Sequence, residues 1–302
     1  MSFEQFMALA LYHPEVGYYR QPRVRVGYAP GTDFYTSSTS GPLFGELVSA
    51  ACATRLRAAG RDPARHTFVE IGAEPAASPF QGIAHPFAAL RTLRVGEPIA
   101  LSGNLVVFSN ELFDAQPFER NVFRGGRWRT LGVQLSGDAL LEIELDTDVP
   151  DLPPAGCDGY SFDRPLAATR LAREMAAQPW QGLFVAFDYG KTLRALRGET
   201  PAGTARAYYQ HTLTDDLLAR PGQQDLTCHV CWDWLSDALR EHGFAEPALD
   251  FQEAFFIRQA GEFIAQTSAA EASRLSQRKL ALMQLLHPAH MGQKFQVLHA
   301  IR

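Results

Sequence analysis

Thr67-Phe68-Val69-Glu70-Ile71-Gly72-Ala73-Glu74 decides how this chain is read. Five residues suited to a buried strand run into a glycine turn. In an open α/β sheet such a turn, at the carboxyl end of a strand, is where the backbone comes close to a nucleotide. A second glycine is expected two residues after Gly72, and here that position is Glu74. The stretch therefore predicts a nucleotide-type fold and a change in the part of it that touches the nucleotide.

Two further apolar runs extend the sheet outward from this strand. Leu105-Val106-Val107-Phe108-Ser109 leads into Asn110-Glu111-Leu112-Phe113-Asp114, and Leu183-Phe184-Val185-Ala186-Phe187 leads into Asp188-Tyr189-Gly190. Continuous apolar strands without alternation are buried on both faces, as in parallel sheets. Phe295 to Ile301 reads as a closing strand. Between 116 and 150 the pattern changes. Gly125-Gly126 separates two alternating runs, 118–123 and 128–133, and Ser136-Gly137-Asp138 leads into a third at 140–145, an antiparallel insertion. Helical spacing predicts helices over 3–12, 42–59, 165–178, 230–242, 255–266 and 270–286. Residues 17–42 and 203–227 read as loop-rich. Residues 73–104 are punctuated by Pro75, Pro79, Pro86 and Pro98, and only 87–93 suggests a helical turn or two.

The 302 residues, 46% hydrophobic and 20% charged, describe an ordinary globular protein. The net charge of −5 and the lack of a basic run give no support to nucleic-acid binding. No apolar run approaches the roughly 20 residues that span a bilayer. Met1-Ser2-Phe3-Glu4-Gln5-Phe6 has neither a signal-peptide pattern nor a mitochondrial leader, so a cytoplasmic location is expected. Four cysteines in such a chain are no disulfide framework. Cys228-His229-Val230-Cys231 lacks the second ligand pair that a structural zinc site needs, so no metal is expected; two half-buried thiols at the head of a helix are the plainer reading.

The candidate chemistry lies at strand ends, where ligands of α/β sheets bind. Acids stand there: Glu70, Glu111 with Asp114, and Asp188. A carboxylate can grip a guanidinium through two hydrogen bonds and can accept the proton of an attacking nitrogen. Each could equally cap a helix or fix a turn. Asp33, beside Phe34 and Tyr35, lies in a loop suited to cover a pocket. His211 and His229 are more often structural than catalytic. Neither a Gly-x-Ser-x-Gly elbow nor a Walker motif occurs.

Eight segments in order resemble the MidA family of class I S-adenosylmethionine (SAM)-dependent methyltransferases, whose mitochondrial members assist assembly of respiratory complex I. They are residues 11–19 (Leu-Tyr-His-Pro-Glu-Val-Gly-Tyr-Tyr), 32–36 with 42–45, 69–73, 110–117 (Asn-Glu-Leu-Phe-Asp-Ala-Gln-Pro), 187–190, 203–208, 222–230 and 287–298. The resemblance implies a Rossmann-like class I methyltransferase core of the seven-stranded type, with an antiparallel β insertion and an N-terminal helical segment. One domain over 1–302 is expected: N-terminal helices and lid loop over 1–60, core over 67–115 and 180–302, insertion over 116–150. It also implies SAM as methyl donor and, for the characterised branch, a protein arginine as acceptor. By position, Asp33, Glu70, Gly72, Ala73 and Asn110 would belong to the cofactor site. Glu111 and Asp114 would be catalytic, orienting a guanidinium and taking its proton. Asp188, Tyr189 and His229 would face the substrate.

The departures from the family pattern are as informative. Glu74 replaces the second glycine, and a carboxylate there would repel that of SAM. Residues 73–104 are too few for two βα units, since one needs about 30 residues. No residue clearly takes the ribose role that an acid at the end of the second strand fills; Glu97 is the acid in reach. Thr32 stands where the family has glycine, and the acid usual near Cys231 is missing. Two readings follow: a methyltransferase acting on a protein nitrogen with a weakened SAM site, or a catalytically inactive scaffold that binds a protein partner. A third, weaker reading is a metal or thiol protein built on Cys228 and Cys231.

Overall fold

Strand burial alternates between two faces of a central sheet. Phe68, Phe108 and Phe187 point to one side; Val69, Val107 and Ala186 point to the other. In the computed structural model, residues 1–302 are described except 28–31, 35, 75–77, 148, 150, 151, 153–156, 274 and 275. In chain order the elements are α1 (Phe3–Tyr12), α2 (Pro42–Ala58), β1 (Thr67–Ile71), β2 (Ala89–Leu93), β3 (Gly103–Asn110), β4 (Glu119–Arg124), β5 (Arg127–Ser136), β6 (Ala139–Leu145) and β7 (Ser161–Arg164). Then follow α3 (Leu166–Ala176), β8 (Trp180–Asp188), β9 (Gly190–Lys191), α4 (Leu193–Gly198), β10 (Arg206–Tyr209), β11 (Thr212–Thr214), β12 (Asp225–Thr227) and β13 (Val230–Cys231). The chain closes with α5 (Trp232–Arg240), β14 (Ala248–Phe251), α6 (Gln252–Gln259), α7 (Gly261–Ala270), α8 (Gln277–Leu286) and β15 (Gln296–Ile301).

The central sheet has six strands in the order β14-β15-β8-β3-β1-β2. β2, β1, β3 and β8 are parallel, and β15 runs antiparallel to both β8 and β14. α2, α6 and α8 cover one face through Leu47, Phe256 and Leu285; α3 and α5 cover the other through Ala172 and Leu235. This is a Rossmann-like α/β fold with six strands in its sheet rather than seven.

The largest difference from expectation lies between β1 and β3. Residues 89–93 form a strand, not a helical turn, pairing in parallel with β1 so that Val69 faces Arg91. The β1–β2 crossover contains no helix among its described residues. Parallel crossovers usually carry one. Here aromatic side chains take over the helix's covering role. Phe80 and Phe87 pack on Phe68 with ring centroids 4.6 and 5.2 Å apart. Gly45 of α2 lets that loop approach, because a Cβ there would meet the Pro79 carbonyl at 2.2 Å.

The insertion is a four-stranded antiparallel sheet, β6-β5-β4-β7. Gly125 and Gly126, at φ 58° and 74°, form its first turn, as two-residue hairpins require. Residues 203–227, expected as loops, contain a three-stranded sheet, β11-β10-β12. Short strands with one half-buried face lack the apolar run that marks a core strand. α1 packs between the two smaller sheets through Phe3, Met7 and Leu11. No helix of the described residues is long and apolar enough to cross a membrane.

Candidate functional site

A cavity of about 180 Å³ opens at the carboxyl ends of β1 and β3. Its floor is the Gly72 turn. Gly72 sits at φ +81°, with its N–H donating to the Leu93 carbonyl at 2.9 Å, so the turn is tied to the end of β2. Glu70, just before it, accepts from Ser78 Oγ at 2.6 Å and from Thr92 Oγ1 at 3.4 Å. It braces the connection from beneath, and burial raises its pKa.

β3 delivers Asn110 and Glu111 to the wall. Glu111 has φ 51°, a left-handed conformation that costs a non-glycine residue about 1 kcal/mol or more. Two hydrogen bonds hold it there. Its N–H donates to the Phe187 carbonyl at 2.9 Å, and Asn110 Nδ2 donates to its Oε1 at 2.9 Å. Asp188, wholly buried, accepts the backbone N–H of Phe113 and that of Tyr189, each at 2.9 Å. The end of β8 thus clamps the chain that follows Glu111.

The opposite wall is built from the N-terminal segment and the small sheet. Gly17 has no Cβ because one would lie 2.4 Å from the His13 nitrogen. That tight reversal brings Tyr19 back onto Tyr12, with stacked rings 5.6 Å apart. Tyr12 donates to the Ala115 carbonyl at 2.9 Å, and Tyr19 donates to Asp225 Oδ1 at 2.9 Å. Tyr189, Tyr208, Arg206 and His229 complete the lining.

The electrostatics are unusual. Glu70, Glu74, Glu111, Asp114 and Asp225 share one small cavity. Burial, then the nearby Asp188 charge, raises Glu111 and Asp114 well above the carboxylate range. Burial pushes Asp188 and Asp225 up to about 7 each. Burial also holds the His229 imidazole down to about 4, so it is neutral at pH 7. Three buried atoms around this cavity have no hydrogen-bond partner: Asn110 Oδ1, Asp114 Oδ1 and His229 Nδ1. Buried polar atoms are normally paired, so these mark places a ligand would satisfy.

Of the residues singled out by sequence, Glu70, Gly72, Ala73, Asn110, Glu111, Asp114, Tyr189 and His229 line this cavity. Asp33 and Asp188 lie behind it. Both Asp33 oxygens are engaged, by Tyr18 at 2.7 Å, Arg23 at 2.8 Å and the Gln210 N–H at 3.0 Å, so Asp33 ties the loop to the small sheet. Asp188 positions other residues rather than facing a substrate. Glu97 is exposed, and its carboxylate accepts the Arg94 N–H at 2.7 Å, closing its own turn. Sequence reasoning missed Tyr12, Tyr19, Tyr208, Arg206 and Asp225, although all lie in the motif segments 11–19, 203–208 and 222–230. Cys228 and Cys231 are buried, and burial raises both thiols, Cys231 to about 12. Among the described residues no cluster of His, Cys, Asp and Glu could hold a metal ion.

Residues 84–248 match a family model described as "putative S-adenosyl-L-methionine-dependent methyltransferase". That is more than half of the chain. The chain belongs to this methyltransferase family. Among solved structures it is similar to a COG1565 superfamily member from Burkholderia thailandensis bound to S-adenosyl-homocysteine. The match has a TM-score of 0.83 at 22% identity, covering 100% of this chain and 88% of that one. A native structure of an uncharacterised COG1565 protein from the same organism matches with a TM-score of 0.80 at 22% identity, over 100% and 87%. These likenesses carry the fold. No curated protein matches the chain.

The residues of this family member fit the cationic part of SAM: unpartnered acceptors at Asn110 and Asp114, several carboxylates, and aromatic rings. Two features differ from a typical nucleotide site. The end of β2 offers no free acid for ribose hydroxyls, and the cavity is smaller than the roughly 300–1,000 Å³ of most ligand pockets.

Proposed function

We propose that this protein is a SAM-dependent methyltransferase that acts on a protein nitrogen, with an arginine guanidinium as acceptor, in the manner of the MidA family. The observation that carries the reading is Glu111 at the end of β3. It is held in a left-handed conformation beside the Gly72 turn, next to the unpartnered Asp114 Oδ1. Strained backbone over-determined by its surroundings is characteristic of functional sites.

When bound, the cofactor supplies an electrophilic methyl group on a sulfonium. The chain's own residues do the rest. Glu111 and Asp114 bind a guanidinium, whose positive charge offsets the burial, and after it the repulsion from neighbouring carboxylates such as Asp188, that raises both carboxyls. Held ionised, Glu111 accepts the proton that leaves the acceptor nitrogen. Tyr12, Tyr19 and Tyr189, whose hydroxyls burial keeps protonated, wall the site from water. Fixing nitrogen against methyl is the main source of rate in such a transfer.

A second reading, a scaffold in which transfer has been lost, is favoured by the Glu74 side chain in the turn and by the absent ribose acid. Isothermal titration with SAM and S-adenosylhomocysteine separates the two. Micromolar binding supports the enzyme. No detectable heat in a folded sample sinks it and leaves a protein-binding scaffold. Under either reading we take the partner to be a protein.

A further inference from the structure

Arg25 is 1% exposed, and its guanidinium is enclosed on nearly every side. Nε and Nη2 donate to the Tyr18 carbonyl at 3.0 and 2.8 Å, and Nη2 also donates to the Gln21 carbonyl at 2.7 Å. The Tyr18 and Tyr19 rings lie 5.3 and 5.5 Å from its central carbon. Among the described residues, its one carboxylate partner is Glu74, with Oε2 at 3.1 Å from Nη1. Glu74 lines the cavity and Arg25 does not. The carboxylate thus stands between a buried cation and the ligand space, immediately after the Gly72-Ala73 turn. Arg206, which does line the cavity, lies 3.7 Å from Asp215 and donates to the Ala205 carbonyl at 2.6 Å.

A buried guanidinium needs a counter-charge, and a carboxylate from a ligand or from the chain meets that need equally well. Resting on the methyltransferase reading, we propose that Glu74 holds, from within the chain, the place on Arg25 that the carboxylate of a ligand would take. Glu74 is then the residue that sets specificity at this turn. With Glu74 on Arg25, the pocket reads the cationic and aromatic parts of a ligand and makes no favourable contact with a carboxylate. With Glu74 removed, Arg25 becomes a receptor for a carboxylate-bearing ligand, and the cavity gains the volume of the side chain.

The test compares the full chain with its Glu74→Ala and Glu74→Gln variants in two measurements. The first is titration with S-adenosylhomocysteine and with 5′-methylthioadenosine, which keeps the thioether nucleoside and lacks the amino-acid part. The wild type is expected to bind the two within a few-fold of each other. Both variants should bind S-adenosylhomocysteine on the order of tenfold more tightly than the wild type, the worth of one charge-assisted hydrogen bond, with 5′-methylthioadenosine little changed. Glu74→Gln keeps the side-chain volume, so its gain reports charge rather than space; it also carries the test alone if Glu74→Ala does not fold. The second measurement needs no nucleoside. Sodium acetate, against sodium chloride at equal ionic strength, should raise the melting temperature of the variants and leave the wild type unchanged. An acetate effect with no nucleoside binding by any form would uphold the role of Glu74 and overturn the methyltransferase reading. A variant that binds S-adenosylhomocysteine no better than the wild type and ignores acetate would overturn the proposal, as would a wild type that already prefers S-adenosylhomocysteine strongly.

Discussion

At the scale of single residues, the acids of this protein divide by what they touch. Asp33 and Asp188 spend their oxygens on tyrosine, arginine and backbone donors and hold other residues in place. Glu111 and Asp114 face the cavity with capacity to spare. Glu111→Gln keeps the shape and the Asn110 contact and removes the proton acceptor. We expect transfer to fall about 10²-fold or more, with cofactor affinity within a few-fold of wild type. Single-turnover methylation of an arginine peptide, alongside titration with S-adenosylhomocysteine, checks this. Unchanged transfer would remove Glu111 from the chemistry.

At the scale of elements, the shortened β1–β2 crossover is the distinctive feature. A helix that would normally cover this corner is replaced by Phe80 and Phe87 on Phe68, with Phe80 also 5.2 Å from the Phe108 ring. Phe80 is 2% exposed. Truncating a buried phenylalanine costs about 3–5 kcal/mol through lost burial and the cavity left behind. Phe80→Ala should lose about that much in urea unfolding and should loosen the Gly72 turn, which is tied to β2. A loss below about 1 kcal/mol would mean that the loop collapses to fill the space and contributes little to the sheet.

At the scale of the whole molecule, the acid cluster sets a pH dependence. A carboxyl whose pKa rises on folding binds its proton more tightly in the native chain. The native state therefore loses stability as pH climbs from the ordinary carboxylate range through the folded value. Asp188 and Asp225, each at about 7, act in this sense, as do Glu111 and Asp114. His229, held down to about 4 from 6.5, acts oppositely, adding stability as pH rises between those values. The decline should be clearest as pH approaches about 7, above the range in which His229 offsets it. The ligand-free melting temperature is expected to fall between about pH 5 and 7 in a fluorimetric series, and a bound cation should flatten the fall. A curve that rises across that window would show that the cluster is not buried as described.

How much of this was legible in the sequence depends on the range of the forces involved. The buried strands of β1, β3 and β8 were legible because a strand covered on both faces must be apolar throughout, and that is a local property. The hairpin at Gly125-Gly126 was legible because two successive positive φ values demand glycine. Glu111, Asp114 and Gly72 could be named because they directly follow such strands. β2 could not be recognised: its burial comes from one neighbour and a few aromatic rings, and Ala89-Leu90-Arg91-Thr92-Leu93 has no marked pattern of its own. Nor could Tyr12, Tyr19 and Asp225 be assigned, since they meet only when the Gly17 reversal and the small sheet fold against each other. The sequence by itself determined the strand–turn logic of an α/β methyltransferase core and the acids at its strand ends. The tertiary structure alone decided which acids face the cavity, and that Glu74, which breaks the glycine pattern, lies against a buried arginine. Those outcomes depend on contacts between residues dozens to hundreds of positions apart, and no local pattern encodes them.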